Sequence, residues 1–179
     1  MFKGEPLTPP KWPETSPEML ADIGRCIIAW GVLEREIGFA IEDCLQLDDD
    51  LGMSVSANLA ASGKINLLRS LIGSLDDAFE KSVHEALDKL AGQTHEAAQS
   101  YRDFLAHGQP WPVKMPDGEI WVWAKWSARK GGLKANIRRM REGDFKHMAD
   151  ELTSLVAKWH VFRESMQEGV GLLKLMKKG

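Results

Sequence analysis

Residues 100–110 read Ser-Tyr-Arg-Asp-Phe-Leu-Ala-His-Gly-Gln-Pro, which is the pattern of a helix close to its end. Gly108 suits the left-handed backbone position that commonly follows the last helical residue, and the proline that closes the stretch prevents the helix from continuing. Arg102, Asp103 and His107 lie in the last turns of this helix. An arginine, a carboxylate and a histidine this close together indicate a site that binds phosphate and transfers protons.

The spacing of these three residues predicts which of them can meet. Asp103 and His107 are four positions apart and share one helix face, so the carboxylate can hold one imidazole nitrogen and fix the tautomer. Arg102 lies five positions before His107, which is about 140° around an ideal helix. One chain is therefore expected to aim Arg102 and His107 poorly at a single point. Either the helix loosens at Gly108, or a second copy of the chain completes the site.

The pattern Arg-x-x-x-x-His, with a polar residue after the arginine and an Ala-His-Gly ending, resembles the HEPN superfamily. The supporting context is Ala-Trp-Gly-Val-Leu-Glu at residues 29–34 in a long first helix, followed by Lys-x-x-x-Leu at residues 64–68. Members of this superfamily are small all-helical proteins, and many are metal-independent ribonucleases that act as dimers. The resemblance covers roughly residues 21–108.

The resemblance implies catalytic roles for Arg102, Asp103 and His107 at a site formed where two copies meet. It also implies a function in toxin–antitoxin or phage-defence systems, with a neutralising protein as a further partner. The position after the arginine is most often Asn in active members, whereas this chain has Asp103. Because a carboxylate beside the scissile phosphate weakens anion binding, the alternative is a non-catalytic HEPN-like module that binds RNA or protein and in which the motif is structural.

RNA cleavage without a metal needs a base, an acid and a cation that stabilises the phosphorane charge. His107 is the side chain of the motif that exchanges protons near neutral pH, and Arg102 offers a fixed fork of donors for phosphate. Two copies related by a twofold axis would supply two histidines and two arginines. We therefore predict a homodimeric endoribonuclease that uses no metal and no cofactor.

The composition is that of one folded domain, since the chain has 179 residues of which 44% are hydrophobic. No apolar run approaches the roughly 18–20 residues of a membrane span, and the N-terminus lacks a signal-peptide pattern, so we expect a cytoplasmic protein without a membrane partner. Cys26 and Cys44 would lie about 27 Å apart on one helix, which is too far for a disulfide. We expect both thiols to be buried.

The net charge of −3 is unevenly distributed. Residues 1–100 hold 8 Lys/Arg and 17 Asp/Glu, whereas residues 101–147 hold 10 and 5, a local excess of five positive charges. A local basic surface is what a polyanion such as RNA requires, whatever the total charge. A solvated hairpin whose charges serve solubility is the alternative interpretation.

Apolar residues recur at three- and four-residue steps through most of the chain, which predicts an all-α fold. We expect an antiparallel four- or five-helix bundle, with a β-hairpin inserted before the last helix at about residues 111–141. Residues 1–15 are rich in proline and are expected to form an extended N-terminal arm. The whole chain, residues 1–179, then forms a single HEPN-like domain.

Local signals place the individual helices. Ser16 is expected to cap a first helix that runs to about Leu47, and the polar run 48–52 is expected to be a loop. The two prolines near residue 111 are expected to make a rigid turn. The other predicted helix starts are Val55 or Ser62 for the second, Ser74 or Asp76 for the third, and Gly143 for the last.

The predicted hairpin combines basic residues with aromatic ones. Lys125, Arg129 and Lys134 are the candidate nucleic-acid-binding residues. The tryptophans beside them can either stack on bases or attach the hairpin to the helices, and we favour attachment because an exposed row of tryptophans would aggregate. These tryptophans are Trp121, Trp123 and Trp126.

Glu34 interrupts the apolar stripe of the first helix, which includes Ile27 and Ile37. A carboxylate in such a stripe must be paired or must reach water. Glu34 therefore either lies at the flank of the stripe or supports the site by pairing with Lys64 or Arg102. Both Glu34 and Lys64 are candidate supporting residues.

Overall fold

The structure, a computed structural model, describes residues 15–46, 49–75, 79–115, 118–129 and 132–176. Most of these residues are helical, and antiparallel strands are inserted before the last helix, which confirms the all-α class with an inserted hairpin. The predicted N-terminal arm lies almost entirely outside the described residues. The helices are α1 (Pro17–Leu45), α2 (Asp49–Ser56), α3 (Ala61–Ser74), α4 (Lys81–Ala97), α5 (Asp103–His107) and α6 (Glu142–Met176), and the strands are β1 (Gln109–Met115), β2 (Gly118–Arg129) and β3 (Gly132–Met140).

The first helix begins where the sequence predicts. The Met19 amide donates a hydrogen bond of 3.0 Å to Ser16 Oγ, and Pro17 fills the first helical position, where its missing N–H costs nothing. The helix ends at Leu45, close to the predicted end, and Gln46 then takes a left-handed conformation with φ of 54°.

The inward face of α1 differs from the prediction at one position. Ile27 was expected in the core and is 60% exposed, whereas Leu33 is fully buried. Cys26 points towards α6, since its thiol contacts the Phe145 carbonyl of that helix at 3.6 Å. Neighbouring residues point about 100° apart on a helix, so Ile27 is turned away from α6.

The first and last helices pack together most extensively, and they run in the same direction. Cys26 meets the start of α6 at Phe145, while Asp43 near the end of α1 meets Gln167 at 3.0 Å. α4 and α6 instead run antiparallel. The buried Trp159 indole donates to Thr94 Oγ1 at 2.9 Å, while Tyr101, which comes after Thr94 in the chain, donates to Glu151, which comes before Trp159. The antiparallel arrangement expected between neighbouring helices therefore holds for α4 and α6 but not for α1 and α6.

Two predicted boundaries between α1 and α4 are wrong. The polar run expected to be a loop at residues 48–52 contains the start of α2 at Asp49. Ser74 ends α3 instead of capping the next helix, and Asp76 lies outside the described residues. α4 begins only at Lys81. Phe79 precedes the helix and lies in the core, where it is 7% exposed.

The inserted sheet has three strands in the order β1-β2-β3, all antiparallel. β2 and β3 confirm the predicted hairpin and lie within the predicted range of residues 111–141. The turn predicted near residue 111 is wrong, since Pro110 and Pro112 lie within β1 and pair in register with Trp123 and Trp121. Proline is tolerated there because β1 is an edge strand, where a missing N–H need not break the sheet.

The sheet is attached to the helices by tryptophans, as the favoured interpretation predicts. Trp121 and Trp123 are each 5% exposed, and the Trp123 ring packs on Phe145 of α6 with ring centres 5.6 Å apart. The side chain of Trp126 lies outside the described residues. Because two buried indoles hold the sheet against α6, the position of β2 and β3 relative to α5 is set by packing.

Both cysteines are buried and unbonded to each other, which confirms the expectation from their spacing. Burial raises the pKa of Cys26 to about 11 and that of Cys44 to about 12, so neither thiol ionises near neutral pH. In the part of the chain that the structure describes, no helix has the length and apolar character needed to cross a membrane.

Candidate functional site

The predicted site begins in a widened turn of helix. Residues Ala98–Arg102 form a π-helical turn between α4 and α5, in which the Asp103 amide donates to the Ala98 carbonyl five positions back. Such single turns inside α-helices are rare and occur frequently at functional sites. Here the turn ends at Arg102, the first of the three predicted catalytic residues.

Arg102 and His107 meet within one chain. Arg102 Nη1 lies 3.3 Å from His107 Nε2, so the expectation that one copy would aim them poorly is wrong. The ideal-helix angle of about 140° describes the directions in which the two side chains leave the helix, not how far they reach. The long arginine side chain then reaches along the single turn of α5 to the imidazole.

Asp103 joins the same cluster through the arginine. Its Oδ1 accepts a hydrogen bond from Arg102 Nη1 at 3.2 Å, and the two side chains are 34% and 41% exposed respectively. His107 is also exposed. The cluster therefore lies at the surface, where a large ligand can reach it and where water screens the ion pair.

The contact between Arg102 and His107 fixes the role of one imidazole nitrogen. A guanidinium has only donors, so His107 Nε2 must accept and must be unprotonated in this arrangement. Among the described residues, Asp103 and His107 are the only hydrogen-bond partners of the Arg102 side chain, and both bind Nη1. The donors on Nη2 and Nε remain available for an oxyanion.

Gly108 is required for a reason different from the predicted one. Its φ of −85° and ψ of 155° are extended, not left-handed. A Cβ at this position would overlap the Trp123 ring and the Phe104 carbonyl. Glycine is needed because β2 passes directly over the end of α5, and this close approach holds His107 beside the sheet.

Arg138 of β3 ties the sheet to the site, and sequence reasoning missed it. Its Nη1 donates to the Ser100 carbonyl of the π-helical turn at 2.5 Å, and its guanidinium lies 4.6 Å from the centre of the Phe104 ring. Arg138 therefore connects the turn that contains Arg102 to the helix that carries His107. Nothing in the sequence separates Arg138 from its neighbour Arg139, since only the fold brings one of them to this carbonyl.

Glu34 and Lys64 lie in a different place. Lys64 is 8% exposed and donates to the backbone carbonyl of Glu34 at 3.0 Å. The two predicted supporting residues thus meet, although through the main chain and not through the Glu34 carboxylate. Among the described residues, the partners of the Arg102 side chain are Asp103 and His107, so the structure shows no pairing of Arg102 with Glu34. Glu34 and Lys64 line a separate cavity of about 190 Å³ together with Gly38, Glu42 and Ser56.

The predicted nucleic-acid-binding residues lie in the sheet. Lys125 pairs in register with Asn136, Lys134 with Ser127, and Arg129 with Gly132, so all three positions lie towards the β2–β3 turn. Their side chains are outside the described residues. The contribution of these basic residues to binding therefore stays a prediction.

The cluster combines a cation suited to phosphate, an imidazole that accepts a hydrogen bond from that cation and a carboxylate that competes for it. No family model, curated protein or solved structure matches this chain. The chemistry of the site is accordingly argued from its own side chains.

A second group of polar residues adjoins the π-helical turn. The Tyr101 hydroxyl donates to Glu151 of α6, and Glu151 also lies 3.4 Å from His147 Nε2. Burial, followed by the hydrogen bond to Glu151, raises the pKa of Tyr101 to about 12. The phenol therefore stays protonated at neutral pH and acts as a fixed donor beside Arg102.

Proposed function

We propose that this protein is a metal-independent endoribonuclease of the HEPN type, built as a HEPN-like helical bundle and acting on RNA in the cytoplasm. The observation that carries the proposal is the 3.3 Å contact between Arg102 Nη1 and His107 Nε2 within one chain. It places a phosphate-binding cation beside a proton acceptor at the surface. The resemblance extends the proposal to toxin–antitoxin or phage-defence systems with a neutralising partner.

The proposed reaction starts when an RNA phosphate binds the unused donors of Arg102. The phosphate competes with His107 for the guanidinium, which releases Nε2 to act as a base. His107 takes the proton of the 2′-hydroxyl while that oxygen bonds to phosphorus. The bond from phosphorus to the 5′-oxygen breaks, and the leaving oxygen takes a proton from a second group. The products are a 2′,3′-cyclic phosphate and a 5′-hydroxyl, and Arg102 stabilises the negative charge between these steps.

The second proton-transfer group is proposed to be His107 of a second copy. One imidazole cannot be base and acid at the same moment, and Asp103 is already engaged by Arg102. The described part of α1 offers a surface for self-association. Its first half exposes four large apolar side chains and two glycines whose Cβ positions face open space. These residues are Leu20, Ile27, Ile28, Val32, Gly24 and Gly31.

The α1 face defined by these six residues suits a second copy of the same chain. Gly24 and Gly31 lie at equal distances on either side of the midpoint between Ile27 and Ile28. A twofold axis at that midpoint would place Gly24 of one copy against Gly31 of the other, and Ile27 against Ile28. Such a self-complementary patch is what an isologous dimer requires.

Replacing Ile27 with glutamate is expected to convert the dimer to a monomer at tens of micromolar, because two buried carboxylates would face each other across the axis. Light scattering after gel filtration measures the mass. Ile137→Glu is the matched control, since Ile137 is 59% exposed on β3 and lies outside the α1 face. A wild-type monomer, or a dimer that only Ile137→Glu dissociates, would contradict this interface.

The test of the proposed activity is incubation of purified protein with mixed RNA in excess EDTA. Cleavage that leaves 2′,3′-cyclic phosphate ends is the expected result. RNA binding without cleavage, with strong salt dependence, would instead assign a non-catalytic RNA-binding module. The ion pair of Arg102 with Asp103 is the observation that favours this second candidate, since it occupies part of the phosphate-binding group.

Asp103→Asn is expected to increase RNA affinity and cleavage. The carboxylate competes with phosphate for Arg102 Nη1, and a unit charge at about 4 Å costs on the order of 1 kcal/mol in water, which is roughly a fivefold change in affinity. Filter binding and initial cleavage rates measure the two effects. A lower cleavage rate with unchanged binding would mean that Asp103 instead orients the cluster for proton transfer.

A further inference from the structure

A groove of about 320 Å³ lies between α4, the π-helical turn and α6, next to the candidate site. Pockets that hold small ligands start at about this size. Tyr101 lines the groove, and Arg102 follows it in the same turn, so their Cα atoms are about 3.8 Å apart. The polar residues of the groove are Gln93, Glu96, Tyr101, Glu151, Ser154 and Lys158.

Two carboxylates line the groove, and only one is already engaged. Glu151 accepts the Tyr101 hydroxyl and lies against His147. Among the described residues, Glu96 has no hydrogen-bond or ion-pair partner, and the same holds for Lys158 on the opposite wall. The groove therefore offers one unpaired carboxylate and one unpaired ammonium.

We infer that this groove binds a guanine base of the RNA whose phosphate lies at Arg102, an inference that rests on the proposed function. Guanine carries two neighbouring donors, N1–H and N2–H, beside the acceptor O6. The Glu96 carboxylate can accept both donors, and Lys158 can donate to O6. Adenine, cytosine and uracil lack two adjacent donors on one edge and can give the carboxylate only one of the two hydrogen bonds.

Tyr101 gives the base a surface for stacking. Its ring is held by the bond to Glu151, and its hydroxyl is committed to that acceptor. A fixed aromatic ring stacks on an unpaired base at little cost in conformational entropy. The base and its neighbouring phosphate would thus bind consecutive side chains of one turn, Tyr101 and Arg102.

Titration calorimetry with guanosine and adenosine 5′-monophosphates tests the groove without any requirement for cleavage. Wild type is expected to bind the guanine nucleotide at least about tenfold more tightly, and Glu96→Gln is expected to lose that preference. Glu85→Gln is the matched control, because Glu85 is an exposed carboxylate on the same helix that pairs with Lys81. Equal affinity for both nucleotides, or a preference that survives Glu96→Gln, would overturn the inference.

Short uridine-rich RNAs that contain one guanosine or one adenosine separate the two sources of the base. Recognition within RNA is supported if the protein binds and cleaves the guanosine RNA in preference to the adenosine RNA. Glu96→Gln should then reduce this preference. Selective mononucleotide binding without selective RNA binding would overturn the RNA source and assign a free guanine nucleotide. Cleavage of both RNAs alike would overturn the guanine inference while leaving the nuclease proposal intact. Guanosine-selective binding without cleavage would support the guanine inference and contradict the nuclease proposal.

Discussion

His107→Ala is expected to reduce RNA cleavage by about 10²- to 10⁴-fold, which is the usual contribution of a general base. The unprotonated Nε2 beside Arg102 is the group that would take the 2′-hydroxyl proton. Initial rates on a labelled RNA in excess EDTA measure the loss. The variant should remain folded, because His107 is exposed at the end of α5.

Two further variants separate catalysis from binding. Arg102→Ala should lose both RNA affinity and cleavage, whereas Arg102→Lys should retain part of the affinity, since an ammonium keeps the charge but not the forked donors. His95→Ala is the matched histidine control, because His95 is exposed on α4 and bonds only to Gln99 among the described residues. If wild type and His107→Ala cleave RNA at the same rate, the proposed role of His107 is wrong. If only thermal stability changes, the motif is structural.

Gly108→Ala is expected to destabilise the fold by on the order of 3 kcal/mol, at the upper end of the usual cost of overpacking. The new methyl group would overlap the buried Trp123 ring and the Phe104 carbonyl, and neither has room to move. Thermal unfolding measures the effect, with roughly 2–4 °C lost per kcal/mol for a chain of this size. The sheet and the end of α5 should separate together, so cleavage should fall as well.

Gly92→Ala provides the matched control for the glycine substitution. Gly92 lies within α4, and nothing lies within 4 Å of the position its Cβ would take. Alanine should therefore stabilise the helix there by up to about 1 kcal/mol. A second measurement combines Gly108→Ala with Trp123→Leu, which removes much of the overlapping ring and should restore part of the loss. Equal effects of Gly108→Ala and Gly92→Ala would show that backbone freedom, not close approach, explains Gly108.

Local signals were sufficient for much of the fold. The hydroxyl and proline at the start of α1, the helical periodicity of α6 and the strand-like composition around Trp121 each depend on residues close together in sequence. Caps, turns and amphipathic faces are properties of a few consecutive residues, so a single sequence carries them. The predicted burial of the two cysteines and of Trp121 and Trp123 follows from the same local chemistry.

Local sequence signals did not predict contacts between residues that are distant in sequence. The exposure of Ile27 depends on how α6 lies against α1, and the strand β1 exists because β2 offers it a partner. Arg138 binds the Ser100 carbonyl only because packing of Trp123 on Phe145 sets the sheet above α5. No residue near Arg138 in sequence carries that information.

The sequence by itself determined the helical class, the position of the inserted hairpin and the identity of the Arg102, Asp103 and His107 cluster, because these depend on residue type and short spacing. Only the tertiary structure decided that Arg102 and His107 meet within one chain, that Gly108 serves a close approach and that Glu34 binds Lys64 through its carbonyl. The physical reason is that each of these contacts depends on the reach of a side chain or on packing between elements. Neither residue type nor short spacing specifies these, and the bond from Arg138 of the sheet to the Ser100 carbonyl of the widened turn is a further example.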